Sequence, residues 1–440
     1  MPRVYAVSLG CDKNRVDTEV MLGLLTGAGY RTAPHPEEAD VILVNTCGFI
    51  ATAQEEAVQT ILEMARYRND GRPLIVAGCL AQRYTKELRR EIPEIDALVG
   101  TGSVGEIVEI VRRVAAGERG LVAVGSPGFL APEDAPRVVT TPPHTAFLKI
   151  AEGCSNACAY CVIPRLRGAF RSRQPRALLR EAAALARGGV RELILVAQDT
   201  TRYGSDLDPG RDLAWLLRRL AGIDGLQWLR LLYCYPNGIT PALVETLATE
   251  PKVCRYLDIP MQHASDAVLA RMGRATRRQG LERLVEALRR DVPGITLRST
   301  FMVGFPGETE ADFEELLDFL EAMRLERAGF FAYSREEGTR AAAMADQVAE
   351  DIKRERLYRV QETQLKIMRI AAAARVGTVT TVLTDARRGP FHRGRTEGDA
   401  PGIDGRVYFG GEPWAEPGEF VRVRVVRLAG TDLVGWRIAP

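Results

Sequence analysis

The sequence lacks three features that would place it in common classes of protein. No apolar run approaches the roughly 20 residues of a membrane-spanning helix. The net charge is only +2, so the molecule as a whole has no strong electrostatic footprint for nucleic acid. The start, Met-Pro-Arg-Val-Tyr, has no signal-peptide pattern and runs directly into a strand-like segment. We therefore expect a cytoplasmic protein with reduced cysteines and no membrane partner.

The 440 residues are 46% hydrophobic and 26% charged, which predicts two or three globular domains. In residues 1–115, short β-branched runs alternate with helical patterns, as is typical of a parallel sheet with crossover helices. Strands are predicted at 4–8, 41–45, 74–77 and 97–99, and helices at 18–28, 53–67 and 85–91. This α/β domain is expected to be doubly wound.

Two further domains follow a segment that is rich in Gly, Pro and small or acidic residues, 116–143, which we predict to be a linker. Residues 144–375 show six strand-then-helix repeats, which predict a partial or full TIM-type (β/α) barrel. Its strands are expected at 147–151, 192–197, 228–233, 256–260, 296–303 and 329–333.

The last segment, 376–440, has alternating runs at 378–383, 405–409, 420–428 and 434–438. These predict a small antiparallel, OB-like β-barrel. Such barrels often bind RNA, but nine Arg face eight Asp and Glu in this segment. A nearly balanced module is a poor binder of a phosphate backbone.

The most informative motif is Cys154, Cys158 and Cys161, separated by three and two residues. One tight loop can wrap these thiolates around a single inorganic centre, with one ligand fewer than a closed tetrahedral site needs. A structural zinc site would have a fourth Cys or His near by, and no such residue follows before Cys234. Zinc remains the alternative, and an iron-sulfur cluster with one open iron is the favoured hypothesis.

A second group of cysteines lies in the first domain. Cys11, Cys47 and Cys79 each come just after a separate predicted strand, and open α/β sheets bind ligands at that edge. A single such cysteine would be interpreted as a small buried apolar residue. Three in equivalent positions favour a second cluster, again one ligand short.

Polar residues also follow the predicted barrel strands, on the side of the Cys154 loop. They include Gln198, His263 and a turn that contains Gly304 and Gly307. For His263, a structural role and a functional role are equally open. A basic run follows the motif, and it is interpreted either as solvated surface or as a substrate-docking loop: Arg165, Arg167, Arg171, Arg173 and Arg176.

The Cys154 motif, with aromatic Tyr160 before its last cysteine, resembles the radical S-adenosylmethionine (SAM) superfamily. The three-domain order and the second triad resemble the methylthiotransferases, which carry a methylthiotransferase domain, a radical SAM domain and a TRAM domain. The resemblance covers essentially the whole chain. Five runs are similar to the branch that modifies a ribosomal protein: SLGCDKN at 8–14, NTCGFI at 45–50, IPRLRG at 163–168, QDTTRYG at 198–204 and MQHAS at 261–265.

This resemblance implies two [4Fe-4S] clusters and SAM as cofactors. The cluster on the Cys154 triad would bind SAM and generate a 5′-deoxyadenosyl radical, and the cluster on the Cys11 triad would supply sulfur. The implied substrate is an aspartate of small-subunit ribosomal protein uS12, which is methylthiolated at its β-carbon. The ribosomal protein would be modified free or on the ribosome, and the reaction would need an external reductant and a sulfur donor. A tRNA adenosine substrate and a metal-stabilised RNA-binding scaffold are the alternatives.

By the same resemblance, four residues are candidates for SAM binding. Tyr160 would lie against the adenine, while Gln198, Gly304 and Gly307 would hold the nucleoside. Each has a structural alternative, because Tyr160 can pack the loop, Gln198 can satisfy backbone groups and the glycines can serve a turn. No catalytic residue is expected beyond the cluster ligands, because the cofactor supplies the difficult step.

Overall fold

The computed structural model describes residues 1–438, apart from the side chains of residues 69 and 70. The last two positions of the predicted C-terminal domain, 439 and 440, therefore lie outside the described residues. Within the described part, no helix is long and apolar enough to cross a bilayer.

The N-terminal domain is built on six parallel strands in the order β2-β1-β3-β4-β5-β6. The strands are β1 (Arg3–Ser8), β2 (Arg31–Thr32), β3 (Val41–Thr46), β4 (Leu74–Gly78), β5 (Ala97–Val99) and β6 (Leu121–Ala123). The helices are α1 (Asp12–Gly27), α2 (Ala51–Ala65), α3 (Cys79–Arg83), α4 (Thr85–Glu91) and α5 (Ile107–Ala115). Strand β6 lies in the segment predicted as a linker and pairs with β5.

Helices cover both faces of this sheet because successive strand residues point to opposite sides. Leu43 and Ile75 pack with the apolar side of α1 and α5. Ile42 and Val76 pack with α2 and α4 on the other face. The predicted doubly wound domain is thus confirmed.

The central sheet has six parallel strands that neighbour one another in chain order. They are β7 (Thr145–Lys149), β10 (Glu192–Val196), β11 (Trp228–Leu231), β12 (Val253–Asp258), β13 (Thr296–Val303) and β14 (Arg327–Ala332). Short β8 (Ala151–Glu152) and β9 (Arg171–Ser172) pair separately and antiparallel. Across residues 1–438, no pairing joins β7 to β14, so the barrel is partial.

Helices of the central domain pack on the outer side of this sheet. Leu193, Leu195, Leu229 and Leu231 belong to the core that the helices share with the strands. The helices are α6 (Ile163–Arg167), α7 (Pro175–Arg187), α8 (Leu213–Ala221), α9 (Pro241–Thr249), α10 (Asp266–Arg271), α11 (Arg278–Asp291), α12 (Glu310–Met323) and α13 (Glu350–Ala373). The alternate strand residues face inward and include buried charges such as Glu192 and Arg230.

The C-terminal domain is the expected small barrel, closed in the order β15-β16-β17-β19-β18. Its strands are β15 (Val379–Arg388), β16 (Phe391–Arg395), β17 (Val407–Gly410), β18 (Phe420–Ala429) and β19 (Asp432–Arg437). Four pairings are antiparallel, and β17 with β19 is parallel. Strand β16 was not predicted.

The small barrel packs against the inward side of the central sheet. Its Phe420 ring meets Trp228 edge-on with centroids 4.7 Å apart. Arg230 donates to the Glu397 carbonyl at 2.6 Å, and Tyr256 donates to Asp404 at 2.7 Å. The segment 396–405 therefore occupies the side of the sheet that a closed barrel would enclose.

Candidate iron-sulfur sites

The loop that carries Cys154, Cys158 and Cys161 begins directly after β8, at the carboxyl end of the first barrel strand. Gly153 permits this, because its φ is +79° and a Cβ there would lie 2.1 Å from the Ala169 carbonyl oxygen. The backbone N–H groups of Asn156 and Ile163 donate to the Sγ atoms of Cys154 and Cys161, both at 3.4 Å. Backbone donors already point at the sulfurs, as they do around thiolate ligands.

The three thiols of this loop influence one another's ionisation. The pKa of Cys161 is raised to about 12, chiefly by burial and to a smaller extent by the neighbouring sulfurs of Cys158 and Cys154, while the hydrogen bond from the Ile163 N–H opposes the rise. Burial also raises the pKa of Cys154. A bound metal centre would stabilise the thiolate form of cysteines in such a loop.

The second triad meets at one edge of the N-terminal sheet. Cys11 follows β1, Cys47 follows β3 and Cys79 is the first residue of α3, directly after β4. These three strands are adjacent in the sheet. The sheet order reverses between β1 and β3, and this is the position at which open α/β sheets bind ligands.

Glycines let the loops of this second triad approach closely. Gly10 has a φ of +82°, and a Cβ there would lie 2.6 Å from the Cys47 Cβ. A Cβ on Gly48 would lie 2.9 Å from the backbone of Cys79. Burial raises the pKa of Cys47 to about 11, with further contributions from Cys11 and Cys79.

The donor set favours an iron-sulfur cluster over zinc. In the part of the chain that the structure describes, no three His, Cys, Asp or Glu side chains converge closely enough to hold one metal ion. A tetrahedral zinc site needs its ligands on a single ion, whereas an iron-sulfur cluster distributes its thiolates over several irons. Each triad supplies three thiols and no other donor type, which is the kind of ligand that iron-sulfur clusters use.

An apolar cluster connects the regions of the two triads across the boundary between the N-terminal domain and the barrel. Val162, next to Cys161, packs in one apolar cluster with Leu166 and Cys79, and Phe49 packs against that cluster. A residue beside one triad thus shares an apolar cluster with a cysteine of the other.

The predicted SAM-binding residues have different environments. Tyr160 packs edge-on to Phe305 with ring centroids 6.4 Å apart. Burial is the main cause of its raised pKa, and the neighbouring Cys158 sulfur is the next. A Cβ on Gly304 would lie 2.3 Å from Lys353 Cγ, and a Cβ on Gly307 would lie 2.2 Å from Arg271 Nη1. Both glycines also have positive φ. These contacts support the structural interpretation of all three residues.

Gln198 differs, because one of its polar atoms has no partner. Its Nε2 donates to Glu152 at 2.6 Å, whereas its buried Oε1 accepts no hydrogen bond. A buried polar atom without a partner is costly. Gln198 therefore offers an acceptor beside the Cys154 loop that a bound molecule can satisfy.

His263 is fully buried and neutral. Its Nδ1 accepts the Ser265 backbone N–H at 2.9 Å, and its Nε2 lies 3.6 Å from Glu308. Burial lowers its pKa to about 3, with Asp312 opposing and Arg356 adding to the shift. This environment indicates a structural role.

The basic run after the motif does not form one surface. Arg165 and Arg176 are exposed, but Arg167 and Arg173 are buried. Arg173 pairs with Glu181 at 2.7 Å, and Arg167 points into the domain boundary. Only part of the run is therefore available for docking a substrate.

Sequence patterns missed a buried ionic group at the boundary between the N-terminal domain and the barrel. Lys149 pairs with Asp17 and also with Glu152, the latter at 2.7 Å. Arg167 bonds the same two carboxylates. The available signal was a lone charge in an apolar run, such as Lys149 in Phe-Leu-Lys-Ile.

Tyr233 was also missed. Its φ is +62°, rare for a non-glycine residue. Its hydroxyl donates to Asp12 at 3.2 Å, and Lys13 Nζ lies 3.1 Å from the ring centroid. A strand end of the barrel therefore reaches the residues that follow Cys11.

Comparison with protein families supports the division into three domains. Residues 3–100 match a model described as uncharacterized protein family UPF0004, residues 148–320 match the radical SAM superfamily, and residues 376–438 match the TRAM domain.

Two solved structures share the fold. A radical SAM methyltransferase, TsrM from Kitasatospora setae, superposes with a TM-score of 0.56 at 18% identity, over 75% of this chain and 73% of that one. The cobalamin-dependent SAM radical enzyme OxsB superposes with a TM-score of 0.53 at 13% identity, over 83% of this chain and 56% of that one. Fold, thiolate loop and family match together define a radical SAM enzyme, which implies SAM and a [4Fe-4S] cluster as cofactors.

Curated relatives identify the branch. The protein named ribosomal protein uS12 methylthiotransferase RimO from Desulforudis audaxviator is 60% identical over 98% of this chain and 96% of its own length. The protein of the same name from Pelotomaculum thermopropionicum is 53% identical over 98% of both chains. The chain belongs to the RimO family of radical SAM methylthiotransferases.

Proposed function

We propose that this protein transfers a methylthio group to the β-carbon of an aspartate in ribosomal protein uS12. The observation that carries the proposal is the apolar cluster in which Val162, beside Cys161, and Leu166 lie together with Cys79 of the second triad. A site that forms a carbon radical and a site that supplies sulfur have to act on the same carbon. The names of the relatives supply the substrate.

In this proposal, Cys154, Cys158 and Cys161 hold a [4Fe-4S] cluster that binds SAM. The cluster and SAM, supplied with an electron by an external reductant, would provide a 5′-deoxyadenosyl radical able to remove hydrogen from a C–H bond that acid–base side chains cannot open. The free Oε1 of Gln198 accepts a hydrogen bond from the nucleoside. Tyr160, Gly304 and Gly307 shape the wall of the same site.

Cys11, Cys47 and Cys79 hold a second [4Fe-4S] cluster, which supplies the sulfur that becomes the methylthio group. Burial raises the pKa of the Cys47 and Cys79 thiols, so uncompensated thiolates are unfavourable at this edge, and a metal cluster would supply the compensating positive charge. An external reductant and a sulfur donor complete the reaction, which takes place in the cytoplasm on free or ribosome-bound uS12.

The substrate is tested with anaerobically reconstituted protein, reductant and SAM. The protein is mixed either with a peptide from uS12 or with tRNA, and the products are analysed by mass spectrometry. We expect a methylthio mass gain on the peptide aspartate only. A gain on tRNA alone would overturn the proposed substrate, and absence of 5′-deoxyadenosine would contradict radical chemistry.

The division of labour is tested by one substitution in each triad. Cys158→Ala should abolish formation of 5′-deoxyadenosine, because SAM loses its cluster. Cys47→Ala should preserve SAM cleavage but stop methylthio transfer. Identical loss of iron and of both activities in the two variants would contradict the two-cluster scheme.

A further inference from the structure

Arg167 lies at the end of α6, and its side chain is buried at the boundary between the N-terminal domain and the barrel. Its side chain is 3% exposed. Its Nη1 donates to Asp17 at 2.5 Å and to Glu152 at 3.3 Å, and its Nη2 donates to Asn14 at 3.0 Å. A guanidinium from the barrel is thus held by residues of the N-terminal domain.

The same group of hydrogen bonds reaches the loops of the second triad, because Asn14 donates to the Leu9 carbonyl at 2.8 Å and to the Thr46 carbonyl at 3.3 Å, and Thr46 directly precedes Cys47. Leu166, the neighbour of Arg167 in the chain, packs in one apolar cluster with Cys79. Burial raises the pKa of the Cys79 thiol, and the charge of Arg167 and a hydrogen bond from it oppose that rise.

The charges around Arg167 balance only when both cations are present. Asp17 and Glu152 supply two negative charges, and Lys149 and Arg167 supply two positive charges. Removal of Arg167 would leave a net negative charge in a buried place beside Cys79. Charges act strongly there because little water screens them.

We propose that Arg167 stabilises the more negatively charged, reduced state of the iron-sulfur cluster held by Cys11, Cys47 and Cys79. This inference rests on the second cluster of the proposed function. When the substrate carbon radical bonds to the sulfur, the bond between that sulfur and its carrier breaks and the carrier keeps one electron. A buried cation beside the carrier favours that outcome and raises its reduction potential.

The test measures the reduction potential of the second cluster in isolation. Full-length protein with Cys154, Cys158 and Cys161 changed to Ala keeps only the second triad. In that background, redox titration followed by electron paramagnetic resonance compares Arg167→Gln, Arg167→Lys and Asp17→Asn. The matched control is Arg173→Gln, which removes another buried arginine of the same segment, one paired with Glu181.

We expect Arg167→Gln to lower the ratio of reduced to oxidised cluster at least tenfold at a fixed applied potential. For a one-electron couple this corresponds to a fall of about 59 mV in the reduction potential. Arg167→Lys should keep most of the wild-type potential. Asp17→Asn should raise the potential, because it removes a negative charge, and Arg173→Gln should leave it unchanged.

Several outcomes would overturn the inference. An unchanged potential in Arg167→Gln at full iron content would do so, as would shifts of the same sign in Arg167→Gln and Asp17→Asn. If Arg167→Gln loses iron, the other two variants test the inference. A raised potential in Asp17→Asn and a near wild-type potential in Arg167→Lys support it, and the absence of both overturns it. Failure of the triple alanine protein to bind any iron would instead contradict the second cluster, and the proposed function with it.

Discussion

Gly10 lies so close to Cys47 that a side chain at this position would push the cysteine away. We predict that Gly10→Ala lowers the iron bound by the second triad, measured by metal analysis of reconstituted protein. Gly29→Ala is the matched control, because Gly29 has a similar φ of +92° but open space around the added Cβ. Both changes should lower the free energy of unfolding by about 1–2 kcal/mol, because alanine is strained in the left-handed backbone conformation. Equal iron loss in both variants would contradict a specific role for the contact.

His263 should make the stability of the protein depend on pH. Its pKa is about 3 in the folded protein and about 6.5 in the unfolded chain, so the unfolded chain binds more protons between these values. The free energy of unfolding should therefore fall as pH drops below 6.5, by up to about 1.4 kcal/mol per pH unit from this group.

His263→Asn keeps an acceptor for the Ser265 N–H and removes the titrating ring. Urea unfolding of both proteins from pH 7.5 to 5.0 should show the variant gaining stability relative to the wild type as pH falls. Unfolding curves that keep a constant difference over this range would show that the imidazole is not the group responsible.

The cysteines of both triads could be predicted because each position has a local signal. Cys154, Cys158 and Cys161 are close in the chain, and the other three follow recognisable strands. Arg167 and Asp17 have no such signal, because they are 150 positions apart. Their contact depends on how two domains dock, which a single sequence does not encode in any local pattern.

Helix α1 is unusual because much of its buried surface is polar. Glu19 is fully buried and accepts hydrogen bonds from Arg137 at 2.7 Å and from the Thr140 backbone N–H at 2.7 Å. The helix thereby fixes the chain that enters the barrel. The amphipathic pattern of an ordinary surface helix, one apolar stripe, is weak here, and the predicted helix began at residue 18 instead of Asp12.

We predict that Glu19→Gln exposes Arg137 to trypsin. The neutral side chain no longer offsets the charge of Arg137, which is 6% exposed in the wild type. Limited proteolysis with mass spectrometry should show faster cleavage after Arg137. Glu133→Gln is the control, because its partner Arg180 is half exposed and the pair contributes little. Similar cleavage rates in both variants would contradict the role of Glu19.

Strands were predicted where their residues are apolar and numerous. The barrel strand at 296–303 has the same bounds in the structure as in the prediction, and the bounds of the other barrel strands differ from the predicted ones by a few residues. Strand β2 has two residues, too few for a periodic pattern, and β6 lies in the segment 116–143, whose Gly and Pro content predicted a linker. Strand β16, Phe-His-Arg-Gly-Arg, has polar composition and exists because β15 and β17 pair with it.

The three domains depend on one another through buried charge. Glu192 in the central sheet is fully buried and bonds both Arg230 and Arg395, each at 2.8 Å, and Arg395 belongs to the small barrel. We predict that Glu192→Gln lowers the free energy of unfolding by about 3–5 kcal/mol, because it leaves two buried cations with less compensation.

Urea unfolding of the intact protein measures this loss. Glu118→Gln serves as the control, since its pair with Arg113 lies on the surface and its removal should leave the midpoint unchanged. A Glu192→Gln protein with the wild-type midpoint would show that the two arginines find other partners, and that the domain contact does not depend on this carboxylate.

The segment 396–405 has a consequence for how the chain can be divided. A protein cut after α13 would keep Arg230, Arg298 and Arg327 on the inward side of the sheet but lose the carbonyl and carboxylate groups of Glu397, Asp404 and Asp399 that bond them. The C-terminal module is thus part of the interior of its neighbour. We expect the catalytic barrel expressed without it to aggregate, and exchange of this module between relatives to succeed only when the barrel residues that meet it are exchanged as well.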